Sequence, residues 1–572
     1  MAITKPVILN ETGRRMAGAL ENLALGSENA NPALLMDGTA ASYKSVMRTW
    51  FIANGALTAT AAELTALCDK WYSITRTGWS GGVTFYQPST STRSDGTKVG
   101  DNAGLSCTPS TDTVANQDDY AGLPLFAVVD CNWTIDATTL EPIITAIDGI
   151  TPNFKRYDTG VFVGVLQMGG FTQDVEGDTT YTYSYSDGVA GTENFKPVPE
   201  SVRVDGTIRP WVIHGKYLAS VVDNKLTACA GVTPRAHVIS HNSVRTYAAA
   251  IGTQYSGMSV LDDAWLKLMG IIKYGRIESD TTLAGCCNFN FSSWAQVDET
   301  SVNRVLLTSG QGTNFPVGCQ IMIGAAIATT VPDRGNAGAY SLSGVDGRTV
   351  TEVRQVTVSD TTYDAVYFDG DAITTVGTPS TIGGTVIQTW HWKTGSCDNV
   401  LGNDGSPVSC TSGKFPAKLQ GIEYMMGAYE VYGDVILKWT VEDGQSVCES
   451  YTVNRAAKQA QDITSDYEAS GMRCVVPSGS NGWKYILKLF HKGFFFPDDL
   501  TGSSSTGTRD AMWAYADGST TGLREWPAFC DLNGGLATAG RSALSAIFGL
   551  SYAYWYISSR LSPNGNRGEW AA

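Results

Sequence analysis

The C-terminal stretch GLSYAYWYISSRLS, residues 549–562, alternates tyrosine with small or apolar side chains. The phenols stand at every second position, at Tyr552, Tyr554 and Tyr556. The positions between and after them hold Ala553, Trp555 and Ile557. A β-strand points successive side chains to opposite faces, so the pattern predicts a strand with a tyrosine face. We expect one face to lie in the core and the other to be a second packed layer or a contact surface.

The composition favours an α+β protein with several domains and many short strands. The chain has 572 residues, of which 43% are hydrophobic and 17% charged, and it is too long for one simple core. Its 62 glycines suit strands joined by turns. No apolar run approaches the roughly 18 residues of a membrane-spanning helix, and the N-terminus lacks a secretory signal pattern. We therefore expect a protein made in a cytoplasm, without membrane insertion.

Charge and cysteine content narrow the possible functions further. The net charge of −15 argues against a nucleic-acid partner, which needs clustered Lys and Arg, and against an anionic membrane surface. The twelve cysteines are scattered apart from the adjacent Cys286–Cys287, and none form a CxxC motif. We interpret them as mostly buried thiols rather than as a disulfide framework or a zinc site.

Changes of pattern divide the chain into four predicted regions. They are residues 1–120, 121–200, 201–294 joined with 416–572, and an insertion at 295–415. The first is expected to be mixed, with a polar loop over 87–118, and the second to be β-rich. The insertion reads as short strands such as RVLLTSG and CQIMIGAAI, separated by Gly- and Asp-rich turns. We expect the third region to begin with helices and to end with strands.

Four segments carry helix signals. NETGRRMAGALENLAL and TATAAELTALCDKWYSI lie in the first region, and Thr60 with Glu63 gives the second of these a capping box. HNSVRTYAAAIG and MSVLDDAWLKLMGIIKYG lie in the third. The last is the strongest signal, since its apolar side chains repeat with helical spacing, at Leu261, Trp265, Leu268 and Met269.

Candidate metal ligands are few. His237 and His241 are four residues apart, a spacing that could present two ligands on a helix, but Val238 and Ile239 between them fit a strand or turn equally well. Adjacent carboxylates could hold Ca²⁺, at Asp118–Asp119, Asp262–Asp263 and Asp498–Asp499. Such pairs also occur in solvated turns and in the first turn of a helix. We expect no cofactor, with Ca²⁺ as the alternative.

The sequence contains no recognisable catalytic motif. It has no P-loop, dinucleotide fingerprint or GxSxG elbow, and GQGTNFPVG lacks the Lys-Ser/Thr that follows a phosphate-binding loop. We therefore expect a protein that is not an enzyme. Two enzyme alternatives stay open, a formylglycine-type oxidase and a glycan depolymerase, and each predicts a thiol pair or an acid/base pair in a cleft.

Three stretches in order resemble the formylglycine-generating-enzyme type of C-type lectin fold. SVRTYAAAIGTQYSGMSVLDDAWLKLM is similar to the two helices of that family, with Asp263 and Trp265 at matching positions. LQGIEYMMGAYEVYGDV resembles its GI-x-D-x-x-GN-x-W-E-W turn, on Gly421, Ile422, Glu423, Gly427 and Glu430, while Ala428, Tyr429 and Val431 depart from it. The tail resembles its closing W-x-I-G-A-R-L-S strand, on Trp555, Ile557, Arg560, Leu561 and Ser562.

This resemblance implies a fold rather than an activity. It covers residues 201–572 and implies a C-type lectin-like domain interrupted by the β-rich insertion. The enzymes of the family use two cysteines in the C-terminal half, but Cys474 and Cys530 stand in contexts that do not match. The oxidase activity is therefore not implied.

The tail is also similar to the variable proteins of diversity-generating retroelements, including phage tropism determinants. In that family, a lectin-fold C-terminus displays residues whose codons derive from adenine-rich Asn codons of a template repeat. Substitution of adenines converts Asn to Tyr, Ser or Ile by one change and to Phe or Ala by two. With Asn at positions 552, 554 and 556, the stretch becomes LSNANWNISSRLS, much like such a template. The likeness implies that Ala553, Trp555 and Ile557 hold the fold while the tyrosine face varies.

The predicted ligand-binding face follows from this likeness. It comprises Ala543, Ser545, Ile547, Phe548, Tyr552, Tyr554 and Tyr556, with Asn533, Arg541 and Arg560 as possible neighbours. Tyrosine suits such a face because it is large, amphipathic and loses little entropy on binding. A tyrosine ladder can also pair across strands for purely structural reasons.

The resemblance implies a phage receptor-binding protein displayed on a tail or head fibre. Residues 1–120 are expected to attach to other virion proteins and to support a homotrimer. The tyrosine face is expected to bind a glycan or protein receptor on the host cell surface. The main alternative is a structural decoration protein of the virion without a host ligand.

Overall fold

The computed structural model describes residues 36, 38–87, 95–189, 193–234, 239–330 and 347–569. The predicted helix NETGRRMAGALENLAL lies outside the described residues. The fold is mixed α+β and mostly β, as the sequence indicated. Among the described residues, no helix is both long and apolar enough to cross a membrane.

The first described elements are two packed helices, α1 (Ala40–Ala53) and α2 (Ala61–Ile74). The predicted capping box of α2 is confirmed, since the Thr60 side chain accepts from the Glu63 N–H and the Glu63 carboxylate accepts from Thr60. One face of α2 is buried, and its Trp71 indole donates to the Tyr43 hydroxyl of α1 at 2.8 Å.

Two antiparallel sheets follow the helices. Their strands are β1 (Ser80–Tyr86), β2 (Thr97–Gly100), β3 (Val129–Ile135), β4 (Pro142–Ile147), β5 (Phe162–Met168), β6 (Phe171–Glu176), β7 (Thr180–Ser186), β8 (Lys196–Pro197) and β9 (Trp211–Gly215). The strand orders are β2-β1-β7-β6-β8 and β4-β3-β5-β9. β2 lies within the predicted loop 87–118, and the first sheet joins strands from both sides of residue 120.

The two helices predicted in the third region are present. They follow the hairpin β10 (Ser220–Val222) and β11 (Lys225–Thr227), as α3 (His241–Ala249) and α4 (Val260–Tyr274). Ser259 and Asp262 form a capping box at the start of α4, and Gly275 ends it with a left-handed φ of 66°. Every residue from Val260 to Lys273 is buried. The apolar stripe seen in the sequence is therefore only one part of the buried surface of α4.

The segment after α4 forms its own pairs of strands. They are β12 (Ser292–Trp294), β13 (Glu299–Val302), β14 (Arg304–Thr308), β15 (Gln320–Ala325), β16 (Arg348–Val358), β17 (Thr361–Phe368), β18 (Ile373–Thr375) and β19 (Thr385–Thr389). Six of them make the sheet β12-β19-β15-β16-β17-β14, and β13 pairs with β18.

The C-terminal part contains short strands. They are β20 (Ala417–Leu419), β21 (Ile422–Tyr424), β22 (Tyr429–Val431), β23 (Val435–Glu442), β24 (Gln445–Thr452), β25 (Glu468–Val475), β26 (Gly482–Tyr485), β27 (Lys488–His491), β28 (Phe495–Asp499), β29 (Ala511–Ala514), β30 (Gly522–Arg524), β31 (Pro527–Ala528), β32 (Leu544–Ser545) and β33 (Ile557–Ser558). The main sheets have the orders β26-β29-β32-β31-β22-β33 and β25-β24-β23-β30, and two hairpins, β20-β21 and β27-β28, complete the set.

One hydrophobic core runs through most of the protein. It contains buried side chains from Tyr43 of α1 to Leu561 of the tail. A second core lies under the insertion sheet and reaches the tail at Trp555. The twelve cysteines are all free, and ten of them are buried, which confirms their interpretation as mostly buried thiols.

Candidate binding surface

The tail does not form the long strand predicted over 549–562. Only Ile557–Ser558 is a strand, paired in parallel with β22. Two turns interrupt the alternation: the Tyr552 N–H donates to Gly549 O at 2.8 Å, and the Ile557 N–H donates to Tyr554 O at 3.1 Å. The prediction was wrong because a period of two in sequence does not exclude turns, and here local turn bonds replace strand pairing.

The three tyrosines nevertheless come together with Phe548, and we call these four residues the tyrosine cluster. Phe548 and Tyr552 stack with ring centres 4.4 Å apart and planes 5° apart, and Tyr554 and Tyr556 lie at 5.1 Å. The hydroxyl groups of Tyr552 and Tyr556 share a hydrogen bond of 2.7 Å. All four side chains are half-buried. The cluster therefore offers ring surface to solvent while its members support one another.

The backbone beneath the cluster is held by three separate segments. The Glu525 N–H donates to Phe548 O, the Asn242 N–H to Leu550 O, and the Tyr429 N–H to Tyr556 O, at 2.8–2.9 Å. On the inner side, Trp555 is 6% exposed and packs against Trp390 and His391, and Ile557 is fully buried. These contacts confirm the predicted core role of Trp555 and Ile557, whereas Ala553 is half-buried.

Two members of the predicted face are not on the surface. Ala543 and Ser545 are 1% and 2% exposed. The expectation that they lie on an exposed surface is wrong because Leu544–Ser545 is an inner strand between β29 and β31, which closes both of its edges. Ile547 is half-buried and follows this strand directly.

Two of the predicted neighbours are also buried, and each binds protein groups. Arg541 donates to the carbonyl oxygens of the 276–278 segment. Arg560 makes a two-point ion pair with Glu430 at 2.6 and 2.7 Å. Neither reaches solvent, since both side chains are fully buried. The third neighbour, Asn533, is exposed, and its Oδ1 accepts from Asn290 at 2.9 Å.

The polar residues below the tail form a second group, which we call the buried polar cluster. It consists of Glu430, Asp434, Arg560, Asn564 and Arg567. Asp434 accepts from Ser259 at 2.6 Å and from Arg567 at 2.9 Å, and Asn564 donates to Asp262 at 2.8 Å. The end of the tail is thereby attached to the N-terminus of α4. Burial raises the pKa of the Glu430 carboxyl, and the Arg560 guanidinium opposes that shift.

Burial also changes the pKa of a phenol in the tyrosine cluster. The pKa of Tyr556 is raised, first by burial and then by the hydrogen bond with Tyr552 and the nearby Asp531 and Tyr554. The phenol therefore stays neutral at any physiological pH. The tyrosine cluster presents hydroxyl groups and ring faces rather than charge.

Three aromatic side chains near the tyrosine cluster were not predicted from the sequence. Trp513 of β29 and Tyr515, which directly follows this strand, are half-buried, and Trp483 of β26 lies opposite Trp513. The Tyr515 hydroxyl donates to Ile547 O at 3.2 Å, next to Phe548. We call Trp483, Trp513 and Tyr515 the aromatic row. The alternation of aromatic and small or apolar residues in AMWAYA, residues 511–516, is the same pattern as in the tail.

The candidate metal ligands are engaged by protein groups. The ring nitrogens of His241 lie 3.0 and 3.1 Å from the carbonyl oxygens of Tyr432 and Ala460, and burial lowers the pKa of His241 to about 4. His237 lies outside the described residues. Within the described ranges, no three or more His, Cys, Asp or Glu side chains form a metal-binding group.

Each of the three acidic pairs has a carboxylate in an ion pair with a lysine. Asp118 pairs with Lys273, Asp263 with Lys267, and Asp498 with Lys488. Asp262 lies in the first turn of α4, as expected, and its Oδ1 is 2.9 Å from His214 Nδ1. Asp118, Asp262, Asp263 and Asp498 thus each have a protein partner.

The two cysteines considered for oxidase chemistry lie in different surroundings. Cys474 is opposite Cys448 across β24 and β25. Cys530 is beside Cys287, and burial raises its pKa well above the ordinary value. A buried, neutral thiol is a weak nucleophile.

No protein-family model matches the sequence, and the curated proteins contain no match to it.

Proposed function

We propose that the tyrosine cluster is a binding surface for a ligand on the surface of a host cell, and that the chain is a receptor-binding protein of a phage particle. The observation that carries the proposal is the packing of four half-exposed aromatic rings on a loop whose backbone is fixed from three sides. Rigid aromatic side chains bring large contact area at a low entropy cost.

The aromatic row enlarges this surface. Tyr515 joins it to the cluster through Ile547 O. The resulting patch is mostly neutral ring surface with hydroxyl groups, in a protein of net charge −15. Such a patch suits non-covalent recognition of a neutral or weakly charged ligand, whether glycan or protein.

The proposal includes the C-type lectin-like fold for residues 201–294 and 416–572. Its support is the order of the elements that carry the three sequence likenesses, which are α3 with α4, then β21 with β22, then β33. Arg560 and Glu430, one from the closing motif and one from the turn motif, form an ion pair. A matched pair of this kind is expected if the two motifs belong to one conserved architecture.

The proposal also assigns variability to the cluster. Tyr552, Tyr554 and Tyr556 are each one adenine change from Asn, and Phe548 is two changes away. Their side chains are half-buried and pack at the edge of the core, so we expect a substitution there to leave the fully buried side chains in place. Display as a trimer on a virion fibre would convert a modest affinity into avidity.

A cell-binding assay tests the proposal. The purified chain is expected to bind bacteria that support growth of the phage, and Tyr552→Ser with Tyr554→Ser and Tyr556→Ser is expected to abolish that binding. The matched control changes three tyrosines elsewhere to Ser, at Tyr86, Tyr363 and Tyr451, which are exposed or half-buried. Equal binding by the cluster variant and wild type would refute the proposal.

The half-burial of the cluster also fits a structural protein whose rings are covered by a virion neighbour. In that case the purified chain binds no cells, and the cluster variant fails to enter assembled particles. Particle composition, measured by mass spectrometry, distinguishes this outcome from receptor binding.

A further inference from the structure

A large cleft is lined by residues between Ala40 and Gly421, none of which belongs to the tyrosine cluster. Its volume is about 940 Å³, and its walls come from α1, from β3, from the turn at 148–157 and from the segment 398–403. Lys216, Lys418 and Gly421 contribute to its floor. The volume lies near the upper end of the range for clefts that hold drug-sized ligands, roughly 300–1,000 Å³.

Five cations and four carboxylates line this cleft, which we call the cationic cleft. All four carboxylates are paired with cations. Asp130 and Asp398 bind Lys216 at 2.7 and 2.9 Å, Asp148 binds Arg156 at 2.9 Å, and Asp118 binds Lys273 behind the wall at 3.2 Å. Among the lining cations, only Lys216 and Arg156 therefore form ion pairs with these carboxylates.

Three lining cations are left over: Lys44, Arg48 and Lys418. None of them makes an ion pair with any described residue; Arg48 donates to Gly149 O and Lys418 to Val400 O. Lys44 and Arg48 are exposed at the rim, whereas Lys418 is only 6% exposed. A buried ammonium with one neutral acceptor is poorly satisfied, and burial with the nearby Lys216 lowers its pKa.

A second donor lines the same cleft. Asn403 lines the cleft, and its buried Nδ2 has no hydrogen-bond partner among the described residues. The two residues belong to adjacent segments, because Lys418 bonds with Gly405 and the Gly421 N–H donates to Asn403 O. Two buried donors without a sufficient acceptor complement an anionic oxygen group.

The rim offers apolar contact. Tyr157 and Leu401 line the cleft and are 70% and 56% exposed. Large apolar side chains exposed next to a polar floor are typical of ligand sites.

We propose that the cationic cleft binds a small organic acid. Its carboxylate is held by Lys418 and Asn403, and its ring or apolar part lies against Tyr157 and Leu401. The site does not depend on the function proposed for the tyrosine cluster.

Calorimetric titration of the full chain tests this site. The probes are galacturonate and benzoate, each compared with its primary amide, which keeps the shape and removes the charge. Both acids are expected to bind at least about tenfold more tightly than their amides, since a charge-assisted contact is worth about one power of ten in affinity. Lys418→Met is expected to abolish this preference, and Lys225→Met, at the exposed start of β11, to leave it unchanged.

A second variant protects the test against misfolding. Asn403→Ala removes an amide nitrogen without a partner, so it is expected to fold and to bind the acids several-fold more weakly. The proposal is overturned if neither acid binds wild type at millimolar concentration, if acid and amide bind equally, or if a folded Lys418→Met or Asn403→Ala chain binds the acids as tightly as wild type.

Discussion

Residues 547–556 and residues 557–567 are neighbours in the chain, but their side chains have different surroundings. In the first segment, the four half-buried rings of the tyrosine cluster stack on one another at the edge of the core, and Leu550 and Trp555 are inserted into cores. In the second, three buried side chains bind distant groups. Arg560 binds Glu430 of β22, Asn564 binds Asp262 of α4, and Arg567 binds Asp434, which follows β22. One short tail therefore combines a surface where substitutions are expected to be tolerated with an attachment where they are expected to destabilise the fold.

The largest effect is expected at the attachment. Arg560→Met removes one partner of a buried ion pair and leaves Glu430 charged and unpaired, which costs about 3–5 kcal/mol. Chemical denaturation measures the loss. A destabilisation below about 1 kcal/mol would contradict the role given to this pair.

The next effect is expected at Trp555, an inward side chain of the first segment. Trp555→Ala leaves a cavity against Trp390 and His391, and such changes cost about 3–5 kcal/mol in a full core. We expect the lower end of that range because the site is at the edge of a core. Thermal unfolding provides the measurement, with Tyr554→Ala as the comparison; equal losses for the two variants would break the distinction between inner and outer positions.

A smaller effect is expected within the cluster. Tyr552→Phe removes the hydroxyl that bonds Tyr556 but keeps the ring stack with Phe548, so the loss is about 1 kcal/mol or less. The free energy of unfolding in denaturant is measured for Tyr552→Phe and for Tyr86→Phe, which changes an exposed tyrosine. The difference between the two losses gives the contribution of the hydrogen bond. A loss above about 2 kcal/mol would show that the cluster is part of the core.

The smallest effect appears only in alkaline solution. Burial and the Tyr552 hydroxyl raise the pKa of Tyr556 above its usual value of 10.0. A phenol whose pKa is higher in the folded chain contributes stability below pH 10 and loses it as the pH rises through the folded pKa. Absorbance at 295 nm, as the difference between wild type and Tyr556→Phe, is expected to show one phenol that titrates late. A difference curve centred at pH 10 would contradict the burial of this hydroxyl.

The fold class and the helices α2, α3 and α4 could be predicted from the sequence because their signals are local, whereas α1 was not predicted. The Thr60–Glu63 capping box and the apolar period of α4 depend on residues within one or two turns. The alternation in 549–562 was misread because turns at Gly549 and Tyr554 break the strand without a Pro or a long polar loop to mark them. The cluster was still located, since its rings are close in sequence.

Other parts of the candidate sites could not be predicted because they depend on distant residues. The burial of Ser545 requires strands from 511–514 and 527–528 on its two sides. The partners of Arg560 lie 130 residues or more away. The cationic cleft joins Lys44 to Lys418, and no local pattern connects them.

The most direct test of the variable binding surface is to sequence the 3′ end of the gene from many sibling phage particles. The account predicts variation in the codons of Ile547, Phe548, Tyr552, Tyr554 and Tyr556. It predicts constancy for the inner positions, at Ala543, Ser545, Trp555, Ile557 and Arg560. Equal constancy at all ten codons would contradict the account and would leave the tyrosine cluster as ordinary packing.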